Sequence, residues 1–428
     1  MSERENFGSR AAVIMAFAGS AIGLGNIWRF PYMVGEYGGA AFILIYILCS
    51  FILSLPIFLA ETVIGRRSRS NAIGAMNILA PKSGWQILGY LSVIIPMIIV
   101  SYYSIVGGWS VEYFCKSFSL DFGSFVPSGF KALVFNTIFL GISSIIVAFG
   151  VKSGIEKFSK FSIPALFVLI VLIMIYSLNM PGAEKGVEYL VRPDLSKITA
   201  KTFAFALGQS FYSLSLGMGI VLTYSSYVSR EENLLVSGAG TAVADLMFAI
   251  LAGFAIMPAV FASGVEPSAG PGLIFETLPG VFEHIGETSP ALSVIVSASF
   301  FLTVIVAAMT SSVSLIEVGV AYLVEEKGFK RGWACLAVFA LAWVLGLVSV
   351  FSIKAFGMID AFSSNFLLTF GALLVVLFVG WKMKREDVRD EITNGGTKNA
   401  KFFPVIYFLI RYLAPVAVII IFLSNLIF

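Results

Sequence analysis

Apolar residues in this chain come in successive runs of about 20, the length of α-helix that crosses roughly 30 Å of hydrocarbon. Eleven spans are predicted, at 11–35, 39–65, 87–115, 132–150, 158–180, 203–228, 233–262, 290–324, 333–351, 355–381 and 402–427. The first is too long for a cleavable signal peptide, follows Glu3 and Glu5, and lacks a small-residue cleavage site. Arg411 lies inside the last and is expected to snorkel to the interface.

Two spans break the pattern. AFAGSAIGLGNIWRFPY (16–32) starts as a membrane helix, then sets Gly19, Gly23 and Gly25 close together and follows them with Asn26, Arg29 and Pro31. GQSFYSLSLGMG (208–219) places serines, a glutamine and glycines between strongly apolar flanks. A lone glycine in a membrane helix usually serves close packing. Two glycine clusters interleaved with polar side chains point instead to irregular backbone, tolerated at this depth only where protein, water or bound ions satisfy its groups. The breaks open the first and sixth spans. Five spans separate them, an odd number, so the second half runs through the membrane upside down relative to the first. That is the layout of an inverted-repeat secondary transporter, an all-α polytopic membrane protein with discontinuous spans 1 and 6. The repeats are expected at about 9–180 and 203–381, with an extra span at about 402–427, in one transporter domain covering 1–428.

Composition agrees and excludes other classes. Hydrophobic residues make up 58% and charged ones 12% of 428 residues, with a mean hydropathy of +0.93, too few charges to cover a soluble protein. The basic residues serve as topology signals rather than a nucleic-acid surface. With the N-terminus inside, 19 Lys and Arg fall in inner segments and seven in outer ones (Lys116, Lys131, Lys185, Arg192, Lys197, Lys201, Lys354). The N-terminus is therefore expected in the cytoplasm and the C-terminus outside. Cys49, Cys115 and Cys335 form no framework of paired spacings, and His284 is the only histidine. An imidazole metal site, a Ser-His or a Cys-His mechanism has little material, so no enzyme is expected. No Asn-x-Ser/Thr sequon occurs, which favours a prokaryotic inner (plasma) membrane.

GSAIGLGNIWRFPY, GQSFYSLSLGMG and AAMTSS (307–312) resemble, in order and spacing, the signature segments of the neurotransmitter:sodium symporter family. The likeness covers spans one to ten, and eleven spans without a twelfth resemble its bacterial amino-acid branch. The resemblance implies the leucine-transporter fold and two Na+ ions, hard cations held by oxygen. Sodium site one would use the Ala21 carbonyl, Asn26, Ser213 and Asp245, completed by the substrate carboxylate. Sodium site two would use the carbonyls of Gly19, Ile22 and Ala307 with the hydroxyls of Thr310 and Ser311. Asp245 in AVADLMFAILAG is the most diagnostic residue, because a carboxylate at that depth needs a cation or a proton. The family commonly has Asn there, and chloride-dependent members carry Ser one turn later. This chain has Asp245 and Ala249, so chloride is not expected to be required.

By the same resemblance the substrate carboxylate meets main-chain donors around Ala21–Gly25 and the Tyr103 hydroxyl, and the ammonium meets carbonyls near Ser20, Tyr212 and Ser215. Monoamine carriers have Asp where this chain has Gly23, which favours an amino acid that brings its own carboxylate. Ile99, Tyr212, Met218 and Leu315 would line the side-chain pocket with Ser20 and Ser215 at its edge, and Ser213 and Ser311 complete the substrate set. Met218 between two glycines suits ligands of different size. Arg29 and Asp360 are expected to form an outer gate with Tyr103 and Tyr212, and Arg4, Phe7, Ser226, Tyr227 and Glu325 an inner one. Glu61 and Gln209 are expected in the same polar network, and Gly154 with Pro164 to mark a weak start of span five. The expected activity is sodium-coupled import of hydrophobic or aromatic L-amino acids by alternating access. Another small zwitterion, or an amine, is the alternative. A channel is disfavoured by the occluding tyrosines.

Overall fold

The computed structural model describes residues 6–123, 125–264 and 273–427. Nine single helices among them are long and apolar enough to cross a bilayer: Ala40–Ser68, Gln86–Lys116, Phe130–Ala148, Val151–Leu178, Leu234–Ala262, Pro290–Lys327, Arg331–Phe351, Ile353–Lys382 and Phe403–Leu423. These are spans two to five and seven to eleven. Span one is a pair, Arg10–Ala21 and Gly25–Tyr37, bent by 52° at its break. Span six is Ala200–Ser213 followed by Ile220–Ser225, neither long enough to cross alone. No strand occurs among the described residues. This is the all-helical architecture with spans one and six discontinuous.

Polar residues at the helix starts take up main-chain donors that a membrane helix cannot leave bare. Ser9 accepts from the Ala12 N–H at 3.2 Å at the start of span one, and Asn233 accepts from Val236 at 3.2 Å at the start of span seven. Thr199 and Thr202 cap span six reciprocally.

The second break is narrower than the sequence suggests. Residues 208–213 stay helical, and the Ser210 hydroxyl donates back to the Leu207 carbonyl at 2.8 Å. The chain leaves the helix only over 214–219, so fourteen helical residues precede the break rather than follow from it. Ser215, Gly217 and Gly219 there take φ of 56°, 76° and 73°. Left-handed backbone is ordinary for glycine and unusual for serine; Ser215 is held by its hydroxyl, which donates to the Ser20 carbonyl at 2.8 Å. Gly217 has a second reason to be glycine. A Cβ there would lie 2.1 Å from the Leu368 carbonyl oxygen, and one on Gly371 would lie 2.0 Å from the Gly217 oxygen. Span ten thus packs backbone to backbone against the break.

Span one packs on spans five, seven and eight, the second half of span six on span two, and span eight on span three. The two breaks therefore face each other at the centre. Span eleven packs on span ten at the periphery. Arg411 has partners within the helical bundle. Its guanidinium lies 4.6 Å from the Trp381 ring centre and donates to the Tyr407 hydroxyl at 3.3 Å, a partnership that offsets its desolvation. Cys49, Cys115 and Cys335 are all free thiols.

Candidate functional site

The two breaks enclose a cavity between them. It has about 330 Å³ of empty space and is lined by Ser20, Ala21, Gly23, Gly25, Ile99, Tyr103, Tyr212, Ser215, Met218, Ile220, Ser311 and Leu315. All of these residues are buried. Eleven of the expected substrate residues are in this lining; Ser213 is not, and Ile220 was not anticipated from sequence, being one more aliphatic residue in an apolar run. Glycine is required at position 23: a Cβ would lie 2.3 Å from the Ser311 hydroxyl and 2.9 Å from the Tyr103 hydroxyl. Tyr103 reaches span one directly, accepting from the Leu24 N–H at 3.1 Å. Polar groups therefore gather at the breaks, while Ile99, Met218, Ile220 and Leu315 supply apolar wall.

Beside the cavity lies a buried acid. The Asp245 side chain is 1% exposed and accepts from Asn26 Nδ2 at 2.7 Å and from the Ser213 hydroxyl at 2.7 Å on one oxygen, and from the Tyr46 hydroxyl at 3.1 Å on the other. No Lys, Arg or His among the described residues lies within 4.0 Å of it. Asn26, Ser213 and Asp245 are thus brought together, and the Asn26 amide oxygen turns back to the Gly23 N–H at 3.0 Å. Tyr46 was missed from sequence because an aromatic in an apolar run carries no signal of its own.

A second cluster joins the first break to span eight. The Thr310 hydroxyl lies 3.1 Å from the Ile22 carbonyl and 2.8 Å from the Ala307 carbonyl. The Ser311 hydroxyl lies 3.3 Å from the Ser20 carbonyl. Three of the five expected groups meet here, Ile22, Ala307 and Thr310, while the Ser311 hydroxyl turns to Ser20 beside the cavity. Gly19 sits a turn away, where a Cβ would be 3.1 Å from the Ser159 hydroxyl of span five. Gln209 donates to the Gly25 carbonyl at 2.8 Å, and Glu61 accepts from the Gly217 N–H at 2.7 Å. The Gly25 carbonyl also accepts from the Phe30 N–H, so Gln209 adds a second donor there, whereas Glu61 takes up a main-chain donor of the second break.

On one side of the cavity the Arg29 guanidinium lies over the Tyr212 ring at 4.8 Å. It makes no ion pair with Asp360, whose carboxylate accepts from the Ser364 hydroxyl at 3.3 Å, although the two charges interact through space. On the opposite side Arg4 lies outside the described residues. Phe7 donates its N–H to the Tyr227 carbonyl at 3.1 Å and packs on the Tyr224 and Tyr227 rings. The Ser226 hydroxyl donates to the Thr223 carbonyl, and Glu325 accepts from the Asn71 N–H at 2.8 Å. The strongest tie on this side was not anticipated. Glu317, fully buried in span eight, accepts from the Tyr227 hydroxyl at 2.8 Å and pairs with Arg331 at 2.5 Å. Arg331 also donates to the Val147 carbonyl at 2.9 Å. Nearby, the Gly8 N–H donates to Glu156 at 2.9 Å at the start of span five, where Gly154 packs so closely that a Cβ would lie 2.1 Å from the Ile146 oxygen. Pro164 follows inside the helix.

Known proteins share this arrangement. The model of the sodium:neurotransmitter symporter family matches residues 4–123 and 132–428. An uncharacterized sodium-dependent transporter of Bacillus subtilis, YhdH, is 36% identical over 99% of this chain and 98% of its own length. One of Methanocaldococcus jannaschii, MJ1319, is 31% identical over 91% of this chain and 84% of its own. The crystal structure of MhsT in complex with L-phenylalanine superposes with a TM-score of 0.88, at 36% identity, covering 99% of this chain and 100% of that one. With two broken spans meeting at a closed cavity, and relatives matched end to end, the chain belongs to the sodium:neurotransmitter symporter family and is a sodium-dependent, multi-pass membrane transporter with the leucine-transporter fold.

Proposed function

We propose that this transporter imports large apolar L-amino acids, aromatic ones foremost, with two sodium ions and without chloride. The observation that carries the reading is the cavity itself. Its polar end is main chain, Tyr103 and serines; its far wall is Ile99, Met218, Ile220 and Leu315; and it has no carboxylate in its lining. A ligand there supplies its own carboxylate, which a zwitterion does and an amine does not. The related MhsT was crystallised with L-phenylalanine, which supports the same side-chain class. The repeats at about 9–180 and 203–381 rock about this cavity, with the basic loops and the N-terminus on the cytoplasmic side. Two sodium ions entering with a zwitterion carry two charges. A potential of about 100 mV then contributes roughly 4.6 kcal/mol, enough for about thousandfold accumulation.

Selectivity among amino acids comes from the apolar wall, since the contacts to carboxylate and ammonium are generic. Burying an indole or phenyl rather than a methyl removes roughly 100 Å² more apolar surface from water, about 2.5 kcal/mol or 60-fold in affinity. In competition against a labelled aromatic amino acid at saturating sodium, Trp, Phe, Tyr and Leu are expected well ahead of Ala and Gly. Met218→Phe should shift the order toward small substrates by filling that space. Displacement by alanine as effective as by tryptophan, or an unchanged order in Met218→Phe, would sink the assignment.

The Thr310 cluster is read as the second sodium site, holding span one against span eight. Hydroxyl contacts to a charge are each worth about 1.5–3 kcal/mol. Thr310→Ala with Ser311→Ala is therefore expected to raise the sodium needed for half-maximal binding about tenfold or more, with folded protein retained. A sodium curve superimposable on the parent's in reconstituted protein would remove that site.

A further inference from the structure

Helix Arg385–Thr393, in the loop between spans ten and eleven, sorts its charges onto two faces. Three of its four acids turn to span two: Asp387 and Asp390 to Arg67 at 2.5 and 3.6 Å, and Glu391 to the buried Arg66 at 2.7 Å. Arg385 and Arg389, one turn apart and therefore on one face, are exposed and have no carboxylate oxygen within 4.0 Å among the described residues. Both line a groove with about 620 Å³ of empty space, closed by Glu386, Ala400, Phe403 and Pro404. Glu386 is the one acid in the lining, and it opposes an anion there. The Arg385 guanidinium is already placed over the Phe403 and Tyr407 rings, at 5.9 and 5.5 Å. Beyond the groove, Phe402, Val405 and Phe408 stand 60%, 60% and 55% exposed along span eleven. Cationic groups thus adjoin an apolar strip that runs into the membrane.

We propose that this groove binds an anionic phospholipid of the leaflet facing the basic loops, its phosphate on Arg385 and Arg389 and an acyl chain along Phe402, Val405 and Phe408. A soluble anion would use the arginines and leave the apolar strip unused. A zwitterionic lipid would bring its own cation next to two others. An anionic lipid uses both parts, and juxtamembrane arginines contribute about fivefold each to such binding. Arg66 and Arg67 are committed to the helix acids, so the lipid-facing pair can be altered without touching that clasp.

Native mass spectrometry of the intact protein in detergent, titrated with phosphatidylglycerol or phosphatidylcholine, tests the site. Phosphatidylglycerol is expected to bind at least tenfold more tightly than phosphatidylcholine. Arg385→Gln with Arg389→Gln should weaken phosphatidylglycerol about 25-fold and leave sodium-dependent amino-acid binding unchanged. If the double variant does not fold, Arg389→Gln alone should weaken it about fivefold. Equal affinity for the two lipids, undiminished phosphatidylglycerol binding by the variant, or displacement of the lipid by millimolar inorganic phosphate would overturn the proposal.

Discussion

Asp245→Asn is expected to cut uptake at limiting sodium by about a hundredfold or more while leaving the protein folded. The acid is 1% exposed, and its three hydrogen-bond donors, Asn26, Ser213 and Tyr46, are neutral. Those donors orient the carboxylate but do not neutralise it, so the folded site favours a cation beside it. Removing one charge from such a buried pair costs about 3–5 kcal/mol, roughly two to three and a half orders of magnitude in ion affinity. On the reading proposed above, the same carboxylate would supply the negative charge that an anion would otherwise bring. Uptake by the parent is therefore expected to survive complete replacement of chloride by gluconate. Adding Ala249→Ser to Asp245→Asn should restore part of the activity, and only when chloride is present, because Ala249 sits one helical turn from position 245 on the same face. Strong chloride dependence in the parent would end this account, as would an Asp245→Asn variant with an unchanged sodium requirement.

Why Asp245 was legible in sequence, and Glu317 was not, is instructive. Both are carboxylates in apolar runs, and the same desolvation cost applies to both. Asp245 is legible on two grounds together, the cost of a carboxylate at that depth and a family pattern that places an ion ligand at its position. Glu317 lies in SLIEVGVAYL, and its partner Arg331 was counted only as a topology charge at the edge of span nine. Their pairing depends on how spans eight and nine pack, which hydropathy does not record. The breaks themselves were legible, since glycines and hydroxyls in a membrane helix are costly unless used. Their extent was not: Gly208 stays helical, and what ends the helix is the left-handed turn at Ser215, fixed by a bond to Ser20 in another span. Arg29 and Asp360 show the converse limit. The sequence groups Arg29 with Asp360 and Tyr212 without their geometry; in the structure Arg29 lies on the Tyr212 ring and makes no ion pair with Asp360.

Arg331→Met is expected to loosen the side of the molecule where Phe7 meets Tyr227, and to weaken substrate binding in saturating sodium at least tenfold. Glu317 is fully buried and receives Arg331 through two nitrogens, at 2.5 and 3.3 Å. Tyr227 donates to the same carboxylate at 2.8 Å, and its carbonyl holds the Phe7 N–H at 3.1 Å. One acid therefore fastens the segment ahead of span one, the end of span six, span eight and span nine into a single closure. Loss of Arg331 leaves a buried carboxylate without its cation, a penalty of about 3–5 kcal/mol. Opening lets water reach Glu317, so the penalty falls on the closed form alone. A shift of that size reverses a preference of a few kcal/mol between two conformations, and an open form is expected to lose the cavity proposed for the substrate. Glu317→Gln with Arg331→Met removes the stranded charge and keeps a hydrogen-bond acceptor for Tyr227. That double variant should recover most of the affinity, which a purely cavity-creating effect of losing the arginine would not allow. Binding of a labelled aromatic amino acid to purified protein separates the cases. Parent-like affinity in Arg331→Met, or a double variant as weak as the single, would show that this pair does not hold the closed form.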